Sequence, residues 1–425
     1  MNHVKGLKCV LCGAEYGVDE IMYVCPKHGD EGIVDVLYDY DRIRQRVDPG
    51  RLAANPDRSI WRYADLLPID SDRFHAWRRE VEDARPSHPL FQVGGTPLYR
   101  AQRLEEQLGL AAVYVKDDGR NPSASFKDRA SAVGVVKARE LGRDVITAAS
   151  TGNAASSLAN MTAASDIATY IFVPETAPPA KIAQLLVFGA NVLAVRGTYD
   201  QAFDLCLEAS REYGWYSRNT AYNPYLSEGK KTAAFEICEQ LNWQAPDRIF
   251  VSVGDGCIIG GLGKGLRDLT ALGWIDRVPR LMGVQAEGSS VLAKAWARGT
   301  EEIVPEPPTT LADSISVGKP RDAVKALRAV QDTNGAFVVV SDEEILAAMK
   351  DLARGAAVFA EPAGAAPYAG LQKMVREGQI EPDEQVVVLV TGNGLKDVSS
   401  AMKAAGEPHR INPTLEALRT LIPNS

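Results

Sequence analysis

Short apolar runs alternate with stretches of helical spacing along the chain from about residue 96 onward. Each run is bounded by polar or turn-forming residues, which is typical of a buried strand. The predicted strands are Val113–Lys116, Val145–Ala149, Thr169–Pro174, Asn191–Val195, Arg248–Val253, Leu281–Gln285 and Gln385–Val390. The predicted helices between them are Asp128–Leu141, Ala154–Ala164, Lys181–Phe188 and Tyr199–Tyr213. Strands that alternate with helices favour parallel sheets covered on both faces. We therefore predict an α/β fold with two adjacent domains.

The ends of the chain follow a different pattern. Residues 1–40 combine four potential metal ligands with two β-like runs, Ile21–Val24 and Ile33–Leu37. Residues 41–95 are rich in Arg, Asp and Pro, which indicates a connector with one or two helices. We expect a small module at 1–40, the connector at 41–95, the main α/β region at 96–400 and a helical tail at 401–425.

The amino-acid composition limits the classes of function that the protein can have. The 425 residues are 45% hydrophobic and 24% charged, as in ordinary globular enzymes. The net charge of -8 disfavours nucleic acid as a partner, because nucleic-acid binders concentrate basic charge. The start of the chain lacks an apolar signal stretch and no segment is long and apolar enough to span a bilayer, so we expect a cytoplasmic protein. Its six cysteines then indicate reduced thiols or metal ligands.

Lys127 has an unusual position in the segment Asn121–Arg129. Asn-Pro predicts a turn, Ser125 is a candidate helix cap, and Lys127 would fall in the first helical turn. The helix dipole disfavours a cation there and should lower the pKa of the amine, as a Schiff-base lysine requires. Taken alone, the pattern also fits a surface lysine paired with Asp128.

Three more loops follow predicted strands, where open α/β sheets bind their ligands. Ser150–Ala154 opens a helix whose N-terminus can hold a carboxylate or phosphate, or can be an ordinary capping turn. Val253–Gly261 is glycine-rich and predicts a phosphate-binding loop, although Asp255 would repel a phosphate unless it points away. Val390–Asp397 offers the neutral hydroxyl of Thr391.

These four segments together resemble the fold-type II pyridoxal-phosphate (PLP) enzymes, and most closely the threonine synthase family. The likeness covers about residues 95–400, and the segments occur in the family's order. It implies two three-layer α/β domains like those of the tryptophan synthase β subunit. The smaller, mobile domain would span about residues 137–225, beside a small zinc-ribbon-like module at the N-terminus. The stretches Glu228–Ile237, Gly283–Gly288 and Glu361–Ala366 resemble family segments as well, the last being shared with serine and threonine dehydratases.

The resemblance implies a role for each matching residue. Lys127 would carry PLP as a Schiff base, with Phe126 near the ring, Asn153 at the phenolic oxygen and Thr391 at the pyridine nitrogen. The residues implied to bind the coenzyme phosphate are Gly254, Asp255, Gly256, Cys257 and Ile258. Those implied to hold the substrate carboxylate are Ser150, Thr151, Gly152, Asn153 and Ala154.

The implied activity is a PLP-dependent carbon-oxygen lyase that converts O-phosphohomoserine and water to L-threonine and phosphate. A second anion site would have to bind the substrate phosphate, with Lys127, Arg129, Lys230, Lys231 and serine or threonine hydroxyls as candidates. A small amino acid is the expected partner, and the resemblance implies a homodimer.

Departures from the family keep other activities open. The glycine-rich loop has Asp255–Ile258 where close relatives have Asn-Ala-Gly-Asn, Ala124 replaces a glycine, and Asn393 replaces a histidine. The alternative is a PLP-dependent β-replacement or elimination enzyme acting on serine, threonine or phosphoserine, similar to cysteate synthase or threonine dehydratase. A regulatory protein that lost catalysis is a further alternative, against which the intact Lys127 argues.

Cys9, Cys12, Cys25 and His28 form two close pairs, each with two residues between its members. Such spacing suits tetrahedral zinc, because each pair can form a tight knuckle. Four protein ligands would leave no open position, so the ion would be structural. The alternative is a set of free thiols in a small β unit.

Overall fold

The protein, described here from a computed structural model over residues 3–84, 88–163 and 165–422, contains three β-sheets in those ranges. Within the main α/β region all seven predicted strands are observed, with ends within one residue of the prediction, but the strands Leu98–Arg100, Tyr216–Ser217 and Ala336–Val340 were not predicted. The strands are β1 (Val4–Cys9), β2 (Glu15–Tyr16), β3 (Val34–Tyr38), β4 (Leu98–Arg100), β5 (Ala112–Asp117), β6 (Val145–Ala149), β7 (Ala168–Pro174), β8 (Asn191–Val195), β9 (Tyr216–Ser217), β10 (Arg248–Ser252), β11 (Arg280–Ala286), β12 (Ala336–Val340) and β13 (Gln385–Val390).

Helices connect and cover these strands. They are α1 (Tyr40–Arg46), α2 (Pro49–Ala54), α3 (Ser71–Ala84), α4 (Gln102–Leu108), α5 (Lys127–Glu140), α6 (Asn153–Thr162), α7 (Pro179–Val187), α8 (Tyr199–Tyr213), α9 (Tyr225–Lys230), α10 (Thr232–Gln240), α11 (Cys257–Leu272), α12 (Val291–Ala297), α13 (Ala323–Asp332), α14 (Asp342–Ala356), α15 (Pro362–Arg376), α16 (Val398–Ala405) and α17 (Leu415–Arg419). Ala164, where the sequence predicts the end of one helix, lies outside the described residues. None of these helices in the described part of the chain has the length and apolar character needed to cross a bilayer.

The largest sheet has the strand order β12-β11-β10-β13-β5-β4. All neighbouring strands are parallel except β4, which pairs antiparallel with β5 at one edge. In β13 the residues from Val386 to Val390 are all buried, as expected for a central strand covered by helices on both faces. The predicted parallel α/β architecture is therefore confirmed.

A second parallel sheet has the order β8-β7-β6-β9. Its strands lie between residues 145 and 217, inside the range expected for the smaller domain. Helix α8 packs on this sheet. It begins with a capping box of Thr198 and Gln201 and ends at Gly214, whose φ of +66° suits glycine. The exact boundaries of the smaller domain stay a prediction.

The N-terminal segment forms a third sheet, which is antiparallel and has the order β2-β1-β3. The predicted run at residues 33–37 corresponds to β3, but the strand predicted at residues 21–24 is wrong. Those residues form an irregular segment instead, because Tyr23 packs on the second sheet. Its ring lies 5.8 Å from that of Tyr216 and 4.9 Å from that of Tyr222, and its hydroxyl accepts a hydrogen bond from Ser217 N at 2.9 Å.

The N-terminal sheet shares a hydrophobic core with the large sheet's helices. Leu7, Val34 and Val36 belong to the same buried cluster as Leu262 and Leu266 of α11. Polar contacts reinforce this packing: the ammonium group of Lys325 in α13 donates to Val34 O at 2.8 Å, and Arg328 donates to Val10 O at 2.6 Å.

The connector holds more helices than the sequence indicated. Residues 41–95 include most of α1 together with α2, α3 and two short 3-10 helices, Ile60–Leu66 and Pro89–Gln92. At the other end, the predicted helical tail contains the last turn of α16 and the short α17, and residues 423–425 lie outside the described range.

Candidate active site

The four loops selected from the sequence all follow the carboxyl ends of strands. Residues 118–126 follow β5, 150–152 follow β6, 253–256 follow β10 and 391–397 follow β13. The first and last of them are joined directly: Phe126 N donates to Thr391 O at 2.9 Å, and Ser125 forms an isolated β-bridge with Gly392. This is the edge at which open α/β sheets bind ligands.

Lys127 is the first residue of α5. The predicted cap by Ser125 is wrong, because Phe126 occupies the cap position and the Ser125 hydroxyl lies 3.5 Å from that of Ser123. Asp128 is buried and accepts a hydrogen bond from Ser123 N at 2.6 Å, so it does not form the ion pair that a surface lysine would make. No carboxylate of the described residues lies within 4.0 Å of Lys127 Nζ.

The pKa of the Lys127 amine is lowered to about 8, which is the direction expected from the sequence, although the cause differs from the helix dipole invoked there. Burial of the amine is the largest cause, followed by repulsion from Lys230 and Arg218. A lysine with such a pKa is in part neutral near pH 7 and can act as a nucleophile or as a base.

Arg218 and Lys230 are almost fully buried, with 2% and 1% of their surface exposed. Arg218 Nε donates to Ser131 Oγ at 3.2 Å, but neither Arg218 Nη2 nor Lys230 Nζ has a hydrogen-bond partner among the residues that the structure describes. Burial lowers the pKa of both groups, that of Arg218 to about 10. The sequence analysis named Lys230 as a candidate cation but missed Arg218. This arginine directly follows β9, and it therefore also lies at the carboxyl end of a strand.

The other two candidate cations are committed to ion pairs. Arg129 pairs with Asp118 at 2.6 Å and with Glu236 at 2.7 Å. Lys231 pairs with Glu228 at 2.5 Å and with Asp268 at 2.7 Å. Both side chains are completely buried, and their carboxylates compensate the charge.

The glycine-rich loop leads into α11 with Gly256 at the cap position, where φ is +91°. A Cβ on this residue would lie 2.8 Å from Asp322 O and 2.7 Å from Ala326 Cβ, so only glycine fits. Asp255 accepts a hydrogen bond from Arg321 N at 3.3 Å, so one of its carboxylate oxygens faces the segment that precedes α13. Cys257 and Ile258 then form the first turn of α11, where no side chain caps the helix.

The loop after β6 borders a cleft with a volume of about 200 Å³. Gly152 caps α6 and donates its N–H to Ser150 Oγ at 3.2 Å, so Asn153 and Ala154 form the first turn of this helix. The lining of the cleft includes Thr151, Gly152, Asn153, Ser156, Lys181, Gln184, Asp313, Ser314, Glu361, Pro362, Ala363, Lys396 and Asp397. The N-terminus of α6 therefore opens onto the cleft.

Asn153 reaches across the cleft to a residue that had no predicted role. Its Nδ2 donates to Glu361 Oε1 at 2.8 Å and lies 3.3 Å from Ser314 Oγ. Glu361 is 5% exposed, and burial raises the pKa of its carboxyl. The sequence shows that Glu361 lies in a segment shared with serine and threonine dehydratases. It gives no indication that the carboxyl group contacts Asn153.

Thr391 is buried next to the end of β10, with its hydroxyl 3.4 Å from that of Ser252. This hydroxyl is a neutral group that can donate or accept a hydrogen bond. Phe126 is fully buried and belongs to the core cluster that includes Ile258. The structure thus brings the segments of Lys127, Asn153, Cys257 and Thr391 to one region.

The predicted metal ligands also come together. The ligand atoms of Cys9, Cys12, Cys25 and His28 all lie within 4.8 Å of one another. Cys12 Sγ is 4.0 Å from Cys25 Sγ, and the hydroxyl of Tyr16 lies 3.0 Å from Cys25 Sγ. The six cysteines all fall within the described residues, and none of them forms a disulfide. A compact set of three sulfurs and one imidazole is the donor set that tetrahedral zinc prefers.

Comparison with known proteins gives a consistent result. Residues 90–392 match the family described as pyridoxal-phosphate dependent enzymes. The chain is 40% identical over 417 residues to a protein named threonine synthase from Methanocaldococcus jannaschii, with 98% of each chain covered. It is 42% identical over 418 residues to a threonine synthase of Methanosarcina acetivorans, again with 98% of each chain covered.

Among solved structures, the processed form of threonine deaminase isoform 2 from Solanum lycopersicum has a similar fold. The TM-score is 0.63 at 24% sequence identity, and the match covers 79% of this chain and 94% of that one. At this level of identity the likeness concerns the fold alone.

Proposed function

The chain belongs to the threonine synthase family of pyridoxal-phosphate-dependent enzymes, and from that premise we propose that it converts O-phosphohomoserine and water to L-threonine and phosphate. The observation that carries the proposal is the similarity to threonine synthases over 98% of the chain. An unpaired lysine with a lowered pKa at the carboxyl edge of the large sheet supports it.

The residues at this edge fit PLP. Lys127 has a partly neutral amine to react with the coenzyme aldehyde, and Gly256 allows the positive φ at which the loop enters the N-terminus of α11, whose backbone N–H groups can bind an anion. We propose that the backbone from Gly254 through Asp255, Gly256 and Cys257 to Ile258 holds the coenzyme phosphate.

The remaining contacts to the coenzyme follow from the residues around it. We propose that Asn153 binds the phenolic oxygen, Thr391 the pyridine nitrogen, and that Phe126 supports the ring from the core. When bound, PLP delocalises the negative charge that develops at the substrate Cα. A neutral hydroxyl at the ring nitrogen fits this arrangement, since it can bond the nitrogen without transferring a proton to it.

The substrate carboxylate is assigned to the N-terminus of α6. The segment provides hydroxyl groups and the first backbone N–H groups of α6 beside the cleft, and the helix dipole favours a negative charge there; its residues are Ser150, Thr151, Gly152, Asn153 and Ala154. Bound in this way, the amino acid would lie with its Cα close to Lys127, whose amine takes the Cα proton and later returns a proton to the substrate.

We propose zinc at the N-terminal cluster. Three thiolates and the His28 imidazole fill a tetrahedral shell, so the ion has a structural role and no open position for a substrate. The small size of the N-terminal sheet supports this assignment, because a metal adds stability to a segment with little core of its own.

We also propose that the protein is a homodimer. Apolar side chains near the C-terminus are exposed to solvent, among them Ile411, Leu415 and Ile422, and burial against a second copy would cover them. Light scattering on the purified protein measures the mass directly, and a monomer at micromolar concentration would contradict this assignment.

The activity is tested by incubating the holoprotein with O-phosphohomoserine and measuring threonine and free phosphate. We expect both products in equal amounts, and neither from a Lys127→Ala variant. Phosphoserine, serine and threonine are tested in parallel. Turnover of any of these without threonine formation from O-phosphohomoserine would reject the proposal.

A further inference from the structure

We propose that Arg218 and Lys230 form a binding site for a phosphate dianion at the N-terminus of α11. The inference rests on the proposed function, since the phosphate belongs either to the coenzyme or to the amino-acid substrate. It deepens that function by naming the side chains that neutralise the phosphate charge.

Arg218 and Lys230 are buried cations that have no counter-ion in contact. No carboxylate in the described ranges lies within 4.0 Å of either side chain, and Arg218 Nη2 and Lys230 Nζ lack hydrogen-bond partners. Burying a charge without a partner is costly, so such groups are rare unless a ligand supplies the opposite charge. The neighbouring Lys231 is equally buried but has two carboxylate partners.

Both cations lie near the start of α11. Ala221, three residues after Arg218, belongs to the same buried cluster as Cys257, the first residue of α11, and burial raises the pKa of the Cys257 thiol, so this neutral group balances neither cation. The Lys230 Cβ would lie 2.7 Å from a Cβ on Gly261, which places this side chain against the second turn of α11. Asp322 also attracts Lys230, but from beyond ion-pair distance, and a single carboxylate cannot balance two cations.

The chemistry of the site matches a phosphate monoester. Such a group carries a charge of about −1.5 to −2 near pH 7 and has three oxygens that accept hydrogen bonds. The site offers a guanidinium group, an ammonium group and the free N–H groups of an uncapped helix N-terminus. The two cations, whose charge the Asp322 carboxylate offsets only in part, therefore attract a ligand with nearly two negative charges.

The first experiment compares the variants Lys230→Met and Arg218→Met with the matched control Lys231→Met. Inorganic phosphate is added to each apoprotein, and the melting temperature is measured. We expect phosphate to raise the melting temperature of the wild type and of Lys231→Met, but not of the first two variants. Without phosphate, Lys230→Met should melt at or above the wild-type temperature because an uncompensated charge is gone, whereas Lys231→Met should melt lower.

The second experiment identifies the source of the phosphate. The affinity of each apoprotein is measured for PLP and for pyridoxal, which lacks the phosphate. If the coenzyme phosphate occupies the site, the preference for PLP falls by about tenfold or more in Lys230→Met. If the substrate phosphate occupies it, that preference is unchanged, and inorganic phosphate binds the wild-type holoprotein about tenfold more tightly than the variant holoprotein.

A result in which neither affinity changes would overturn the inference. Lys230→Arg keeps the charge and should retain most of the phosphate response, and it serves as the test if Arg218→Met does not fold. Failure of the proposed function is distinguishable: a wild type that makes no threonine, yet prefers PLP in a Lys230-dependent manner, would keep the phosphate site and reject only the activity.

Discussion

The lowered pKa of Lys127 predicts how the apoprotein reacts with an aldehyde as the pH changes. Only the neutral amine attacks the carbonyl carbon, so the rate follows the deprotonated fraction. With a pKa of about 8, roughly 9% of the amine is neutral at pH 7, against about 0.03% for an ordinary lysine with a pKa of 10.5. The environment of Lys127 is thus expected to increase this reactive fraction by about 300-fold.

Pyridoxal is the appropriate probe because it has no phosphate group. Its reaction with Lys127 therefore does not depend on phosphate binding by Arg218 and Lys230. The rate of Schiff-base formation is followed by absorbance after rapid mixing over a range of pH values. We expect the rate to rise steeply up to about pH 8 and then to level off. Lys127→Ala should give no such signal from this site, which separates it from surface lysines.

Lys230→Met provides an internal check on the cause. Lys230 repels the Lys127 ammonium group, so its replacement should raise the pKa of Lys127 and move the midpoint of the rate profile to higher pH. A wild-type profile that still rises at pH 10 would refute the reasoning, since neither burial nor the neighbouring cations would then be lowering the pKa.

Three further outcomes are expected. Glu236→Gln leaves Arg129 and Lys116 buried without their shared carboxylate, and the free energy of unfolding in urea should fall by about 3–5 kcal/mol at pH 7. The attraction of Arg129 and Lys116 outweighs burial and holds the pKa of Glu236 in the folded protein below its value of 4.5 in the unfolded chain. The loss in the free energy of unfolding is therefore present in full above pH 4.5, and it shrinks as the pH falls toward the pKa of the folded state. Gly256→Ala places a Cβ 2.8 Å from Asp322 O at a positive φ, and the affinity for PLP measured by titration should drop by about tenfold or more. Metal analysis of the purified protein should find zinc, and its removal by a chelator should lower the melting temperature.

Controls make these outcomes decisive. Glu301 contacts Arg328 in an exposed ion pair, so Glu301→Gln should lower the free energy of unfolding by no more than about 1 kcal/mol. If Glu236→Gln lowered it by no more than Glu301→Gln does, the role of burial would be contradicted. Gly273 is also a helix-terminal glycine with a positive φ, but a Cβ there meets no neighbour, so Gly273→Ala should leave the affinity for PLP unchanged. A protein that holds no zinc and keeps its melting temperature in chelator would refute the metal assignment.

Much of the fold could be predicted because its strands are short, apolar and buried on both faces. The strands β6, β8 and β13 and the helix α8 have the predicted bounds, and the four loops follow strands as expected. In these segments the local hydrophobic pattern favours the same conformation as the tertiary environment, so the sequence alone predicts where the strands and the helix begin and end.

The differences arise where long-range packing decides the conformation. The run at residues 21–24 is apolar but forms no strand, since Tyr23 finds its partners on the second sheet. Arg218 was missed because β9 has only two residues and gives no periodic signal. The Asn153–Glu361 contact joins residues 208 positions apart, a separation at which sequence spacing says nothing.

The shared core of the N-terminal sheet has a consequence for how the protein can be cut or recombined. A fragment that starts at residue 41 would remove the Tyr40 hydroxyl from Asp268, and Lys325 would lose both Val34 O and the Asp35 carboxylate. Exchanging this segment between homologues would succeed only if the facing surface of α11 and α13 were exchanged with it. The N-terminal sheet and the two helices behind it therefore form one structural unit.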